Sequence, residues 1–268
     1  MHDAPRPTND NRPLRESEPG DGLVMALRFY SRLPTGNAPH ARPSLDRIAL
    51  ALPLASLMIG LGPALALLAL LLAGVPGYFA AALAAALLVI VTGAMSEDAL
   101  ADAADGLFGG HDIEQRLAIM KDSRHGTYGV TAIALLLMLR VGAAGSVANP
   151  LEAAAIFLVA PIVARSGALW LSLALPPARS GGAAASAGQA SLRNFLIGLA
   201  IVAVMAFALA GFAVGVAGLL AAAGLCTIVA WGWTILCRRL VGGQTGDLIG
   251  ALQALLEIAA LTAFMIFV

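Results

Sequence analysis

Charge is what this sequence lacks. Of its 268 residues only 12% are Asp, Glu, Lys or Arg, sixteen of each sign, against 59% hydrophobic residues and a mean hydropathy of +0.86. Ordinary globular chains carry about a quarter of charged residues, so a soluble domain of this size could not hide so much apolar surface. A nucleic-acid binder and a disordered chain are excluded on the same ground. Cysteine is scarce too, which excludes a secreted disulfide scaffold. Cys226 and Cys237 stand in or beside an apolar run at a spacing that fits no common zinc or redox motif, and are read as packing residues. What remains is an all-α, polytopic helical membrane protein.

The charge-free stretches give its layout. None of the four charged residue types occurs from Ile48 to Ser96 or from Asn194 to Cys237, and each stretch is too long for one crossing of about 20 residues. Each must turn back, the first at Gly74-Val75-Pro76-Gly77 and the second between Gly211 and Gly218. The spans expected are about 48–73, 78–96, 128–147, 152–175, 194–213, 216–236 and 248–268, seven transmembrane helices in all. Small residues recur within them, as suits close helix packing in lipid.

Lys and Arg fall unevenly between these spans. Fourteen of the sixteen lie before the first span or in the second, fourth and sixth loops, and the other loops have none. The positive-inside rule makes that side cytoplasmic, which implies the inner membrane of a bacterium with the N-terminus inside. Residues 1–21 lack the apolar core of a cleavable signal and are expected as a disordered cytoplasmic tail ahead of one integral-membrane domain, 22–268. Leu23 to Leu33 and the segment after Asp112 alternate apolar and basic residues in the manner of short interfacial helices.

The chemistry concentrates in three polar islands on the cytoplasmic side. In the first, Glu97, Asp98, Asp102 and Asp105 put four carboxylates into nine residues at the end of the second span. If that helix continues, Asp98, Asp102 and Asp105, at i, i+4 and i+7, project from one face. Like charges so close need a counter-cation, and oxygen ligands suit Mg²⁺ or Mn²⁺ shared with substrate phosphates. A merely solvated helix end is the alternative, and the alanines between the aspartates argue against it. The second island, Lys121-Asp122-Ser123-Arg124-His125-Gly126-Thr127, is dense in donors and glycines able to wrap a phosphate. His125 taken singly reads as a loop residue. The third, Gly242-Gly243-Gln244-Thr245-Gly246-Asp247, permits close backbone approach and opens a helix whose free amides suit an anion, with Thr245 or Asp247 as N-cap. Within the spans, Arg165 and Glu257 are the notable charges, either functional or a buried pair.

These islands resemble the cobalamin synthase family of adenosylcobinamide-GDP ribazoletransferases. The likeness rests on Arg32-Leu33-Pro34 after Phe29-Tyr30, on Asp98 through Gly106, on Asp122-Ser123-Arg124-x-Gly126-Thr127-x-Gly129, on Arg165-Ser166, and on Gly242 through Asp247. Two positions depart from the family pattern: Ser96 stands where a histidine is usual, and Ala99 replaces a glycine, its methyl narrowing approach to the helix. The resemblance implies a Mg²⁺-dependent (or Mn²⁺-dependent) transferase of cobalamin biosynthesis. It would join adenosylcobinamide-GDP to α-ribazole or α-ribazole 5′-phosphate and release GMP. It also implies Asp98, Asp102, Asp105 and Asp247 as metal ligands, and Asp98, Asp102, Asp105 and Arg124 as catalytic. Lys121, Asp122, Ser123, Gly126, Thr127, Arg165, Gly243, Gln244, Thr245 and Gly246 are implied to bind substrate. A homo-oligomer, or association with other corrinoid enzymes, is the expected company in the bilayer.

Two other readings stay open at this level. A metal-dependent phosphotransferase of the CDP-alcohol group also puts aspartates at cytoplasmic helix ends, but its Asp-Gly-x-x-Ala-Arg signature is absent. An ion-coupled transporter could use Arg165, Glu257 and the aspartates as a relay, although the islands lie at the membrane boundary rather than at its midplane.

Overall fold

The computed structural model describes residues 21–36, 44–122, 124–179 and 188–268. Among the described residues there is no strand, only an isolated bridge between Pro177 and Gln244. The helices are α1 (Asp21–Tyr30), α2 (Leu45–Leu72), α3 (Gly77–Thr92), α4 (Met95–Gly109), α5 (Ile113–Ile119), α6 (Thr127–Ser146), α7 (Pro150–Ala168), α8 (Trp170–Ala174), α9 (Leu192–Leu240) and α10 (Gly246–Phe264). All but Asp21 of the expected N-terminal tail lies outside the described residues. Helix α1 and helix α5 correspond to the two expected interfacial helices, the latter capped by the Asp112 carboxylate, which accepts from the Gln115 amide at 2.8 Å.

Five helices are long and apolar enough to cross a membrane, or six if α3 and α4 count as one bent span. The expected count is seven, and α9 holds two of the expected spans in one continuous element. Straight, its 49 residues would reach about 74 Å. Its two ends, however, meet the same side chain. The Trp170 ring lies 6.3 Å from that of Phe195, and Trp170 Nε1 donates to Thr234 Oγ1 at 3.2 Å. The chain therefore doubles back within α9. The reversal is at Gly215, whose φ of 64° and ψ of 178° lie outside the helical region and suit a residue without a β-carbon. The first leg starts beside α2, where Asp46 accepts from the Ser191 amide and the Asn194 side chain, both at 2.8 Å. The second runs antiparallel to α10, with Trp233 Nε1 donating to the Leu248 carbonyl and Cys226 close to that of Leu256. The protein is thus a polytopic helical membrane protein. Its outer faces expose Leu72, Met138, Val204, Leu220 and Ile228, among others, as lipid contact demands. Helix α7 runs through the interior, between α2 on one side and α9 and α10 on the other.

One polar cluster crosses this interior. Arg140 of α6 donates through Nε and Nη2 to the two oxygens of Glu257 in α10, at 2.6 and 3.0 Å, and through Nη1 to Glu97 of α4 at 2.8 Å. Ser96 Oγ donates to the other Glu97 oxygen. All are buried, Arg140 to 1% exposure. Glu257 thus pairs with Arg140, and the expected partner, Arg165, is left on α7 with its Nε and Nη1 unpaired among the described residues. Which cation meets Glu257 depends on which helix packs against α10 at that depth, and a linear pattern does not carry this. Removing one partner of a buried ion cluster strands the others. The substitution Arg140→Ala should therefore cost about 3–5 kcal/mol, seen as a sharp fall in thermal stability of the detergent-solubilised protein; an unchanged midpoint would show that the cluster is not structural.

Candidate active site

The acidic helix does not continue the second span. Helix α3 ends at Thr92, and Gly93 and Ala94 both take left-handed backbone, with φ of 66° and 59°. For an alanine this conformation costs about 1–2 kcal/mol. The two residues swing the chain by 85° between α3 and α4. The alanines of α4 face inward. Ala99 packs on Gly250 of α10, where a β-carbon on that glycine would lie 2.5 Å from the Ala99 methyl, so the methyl is accommodated in the α4–α10 contact.

The three aspartates do share one helix, but they have different partners. Asp98 is exposed and Asp102 half-buried, and His125 lies between them, Nε2 3.8 Å from Asp98 Oδ1 and Nδ1 3.8 Å from Asp102 Oδ1. One ligand atom from each of the three lies within 4.8 Å of the others. Burial, and after it the charges of Asp98 and Asp247, push the Asp102 carboxyl up to about 6. Asp105 is buried and turned to the loop. Its Oδ2 accepts from the Gly126 amide at 2.6 Å and its Oδ1 from the Gly129 amide at 2.9 Å. It therefore caps the N-terminus of α6, where Gly126 supplies no side chain of its own. Both glycines are required by that approach, since a β-carbon on either would lie within 2.6 Å of the carboxylate.

The third island closes the site from the other side. Thr245 caps α10 by accepting from the Leu248 amide at 3.2 Å and donates to Asp247, whose charge reaches Asp98 and Asp102. The loop is held by two backbone bonds, Gln244 N to Pro176 O and Ala178 N to Gln244 O. Gly243 packs directly on this strip, and Gln244 is buried with its side-chain amide unpartnered among the described residues. The same strip carries Arg179, which donates to the Leu117 carbonyl and lies near enough to Asp247 to act on its charge.

The expected residues thus divide. Asp98, Asp102 and Asp247 come together, with Asp105 behind them, and Gln244, Thr245 and Gly243 line the neighbouring loop. Arg124, expected to be catalytic, instead forms a 2.6 Å pair with Asp122 and is 87% exposed. Asp122 is held down to about 2 by that partner. Lys121, Gly126, Thr127 and Gly246 are exposed around the site, Arg165 lies buried in the interior, and Ser123 is outside the described residues. Two residues at the site were not singled out from the sequence. His125 reads in the sequence as a loop residue, although it is the single histidine within the donor-rich island. Arg179 stood out only as a loop cation.

Residues 22–265 match the family described as cobalamin-5-phosphate synthase. The chain is 42% identical over 264 residues to the adenosylcobinamide-GDP ribazoletransferase of Azorhizobium caulinodans, covering 95% of this chain and 98% of that one. It is 44% identical over 257 residues to the protein of the same description from Xanthobacter autotrophicus, covering 91% and 96%. No solved structure matches.

Hydrogen bonds to a charged group contribute about 1.5–3 kcal/mol, which sets the expectation for Asp105→Asn. That protein should lose stability in this range and exchange the amide hydrogens of Gly126 and Gly129 faster, by hydrogen-exchange mass spectrometry; unaltered exchange would contradict the capping role.

Proposed function

The chain belongs to the cobalamin-5-phosphate synthase family, a family of transferases, and from that premise we propose that it joins adenosylcobinamide-GDP to α-ribazole or its 5′-phosphate. The ribazole hydroxyl attacks the phosphorus that carries cobinamide. A phosphorus–oxygen bond forms there, the bond from that phosphorus to the GMP oxygen breaks, and GMP leaves. The observation that carries this reading is the convergence of Asp98, Asp102 and His125 within 4.8 Å at the end of the bundle that holds the charged loops.

These three residues fit a divalent cation. One ligand atom from each lies within 4.8 Å of the others, a little wider than the about 4.2 Å at which ligands of one ion stand at metal–oxygen distances of about 2.1 Å, so a small inward movement would let the two carboxylates and one His125 nitrogen share an ion. The two carboxylates suit Mg²⁺ or Mn²⁺, and the imidazole beside them would favour the transition ion, Mn²⁺, of the two. Bound there, the ion would neutralise charge on the diphosphate. The protein's own contribution is placement. Asp105 fixes the loop that carries His125. Asp247, half-buried and outside the three-residue group, accepts the proton of the attacking hydroxyl. Arg179 offsets negative charge on that side of the site. Arg124 is read as a surface residue rather than a catalyst.

By the positive-inside rule the charged end faces the cytoplasm of a bacterial inner membrane, where a soluble nucleotide-linked substrate would meet it. The CDP-alcohol and transporter readings are set aside by the family match.

The test is GMP release by the purified protein in lipid, given adenosylcobinamide-GDP and α-ribazole with Mg²⁺ or with chelator. Turnover should need the cation. Asp98→Asn and Asp102→Asn should each lower it by at least about 100-fold, roughly 2.7 kcal/mol of barrier. Folded variants with normal turnover would overturn the assignment.

A further inference from the structure

One motif has no part in the chemistry above: Arg32-Leu33-Pro34, just after α1. Beside the acidic face, at the break between α3 and α4, lies a cavity of about 360 Å³. Arg28, Phe29, Arg32, Thr92 and Gly93 form its walls, and so does Asp98. Asp98 is therefore shared between this cavity and the Asp98–Asp102–His125 group, and two arginines line the cavity with it.

Both arginines are positioned by their surroundings. The Arg32 amide donates to the Val91 carbonyl at 2.7 Å. Its side chain then crosses Gly93 so closely that a β-carbon there would lie 2.4 Å from Nε, which explains a glycine at the bend beyond its φ of 66°. Arg28 Nε donates to Thr35 Oγ1 at 2.8 Å, so the loop after α1 holds its head group. Helix α4 begins in the same wall, and its N-cap, Ala94, offers no side-chain acceptor. A helix N-terminus and two forked guanidiniums all favour an anion with several oxygens. Asp98 opposes such an anion unless a cation stands between them, which is the arrangement proposed for the adjoining group. The volume exceeds what a bare phosphate needs and falls in the range of ligand pockets.

We propose that this cavity binds the phosphate of a phosphate monoester that takes part in the reaction. The inference rests on the reaction proposed above and adds a second, anion-holding half to its site. One product and one reactant carry this chemistry. One is GMP, whose phosphate is freed when the phosphorus–oxygen bond breaks, and the other is α-ribazole 5′-phosphate.

The experiment measures equilibrium binding of GMP and of α-ribazole 5′-phosphate to the full-length protein in lipid nanodiscs. Wild type is compared with Arg32→Gln and Arg28→Gln, and thermal stability of each variant is recorded alongside. Each substitution should weaken binding by about tenfold or more, with the stability midpoint unchanged. A loss confined to GMP assigns the cavity to the leaving nucleotide, a loss confined to ribazole 5′-phosphate assigns it to the acceptor, and loss of both means that they share it. Affinities unchanged in both folded variants overturn the proposal, as does wild-type protein that binds neither compound. Because binding is read without turnover, the two readings fail separately. Arginine-dependent binding without transfer would sink the reaction and leave the cavity, whereas normal transfer with unaltered KM in Arg32→Gln would sink the cavity and leave the reaction.

Discussion

Helix α4 is pinned at its two ends by buried carboxylates, and everything at the site depends on that. At one end Glu97 points inward to Arg140, which also holds Glu257 of α10. At the other, Asp105 accepts the two amides that open α6. An ionised group away from water is tolerated only when paired or fully hydrogen-bonded, so neither end can slide without stranding a charge. Between these fixed points Asp98 and Asp102 have little freedom. One step along the helix separates Glu97, which ties the bundle together, from Asp98, which faces the site.

This arrangement resolves a conflict in the composition. A chain poor in charge and rich in lipid-facing surface must gather several negative groups in one place and still fold. The 85° turn at Gly93 and Ala94 does so by directing the acidic helix away from the line of α3, with Glu97 turned into the bundle and Asp98 exposed. The strain of a left-handed alanine is small beside the cost of burying Asp98 and Asp102 unpaired. The aspartates are left close enough to repel one another, with His125 between them. Such preorganised repulsion is relieved by a cation, and preorganisation of charge is what phosphoryl transfer asks of a protein.

The fold was legible where it depends on what the chain lacks. Charge-free runs placed the spans, and the region Gly211 to Gly218 does contain the reversal, at Gly215. The acidic face was legible from spacing alone, because α4 keeps its three aspartates on one helix. Its bend was not, since an alanine in left-handed backbone gives no turn signal. Nor was the pairing of Glu257 with Arg140, which is set by helix packing. The different fates of Asp98 and Asp105 were hidden for the same reason. Seven residues apart on one helix they look equivalent, until the glycines of a distant loop approach only one of them. The two departures from the family pattern also resolve in space. Ser96 is buried and bonded to Glu97, while an imidazole reaches the aspartates from His125, and the extra methyl of Ala99 is met by a glycine at 250.

The central claim, that α4 and the loop before α6 build one cation site, is tested most directly by electron spin-echo spectroscopy of Mn²⁺ added to the protein in lipid. The account predicts a bound ion with nitrogen coupling from one imidazole. That coupling should vanish in His125→Ala, and binding itself should vanish in Asp102→Asn. Mn²⁺ bound without nitrogen coupling, or bound equally well by both variants, would contradict it.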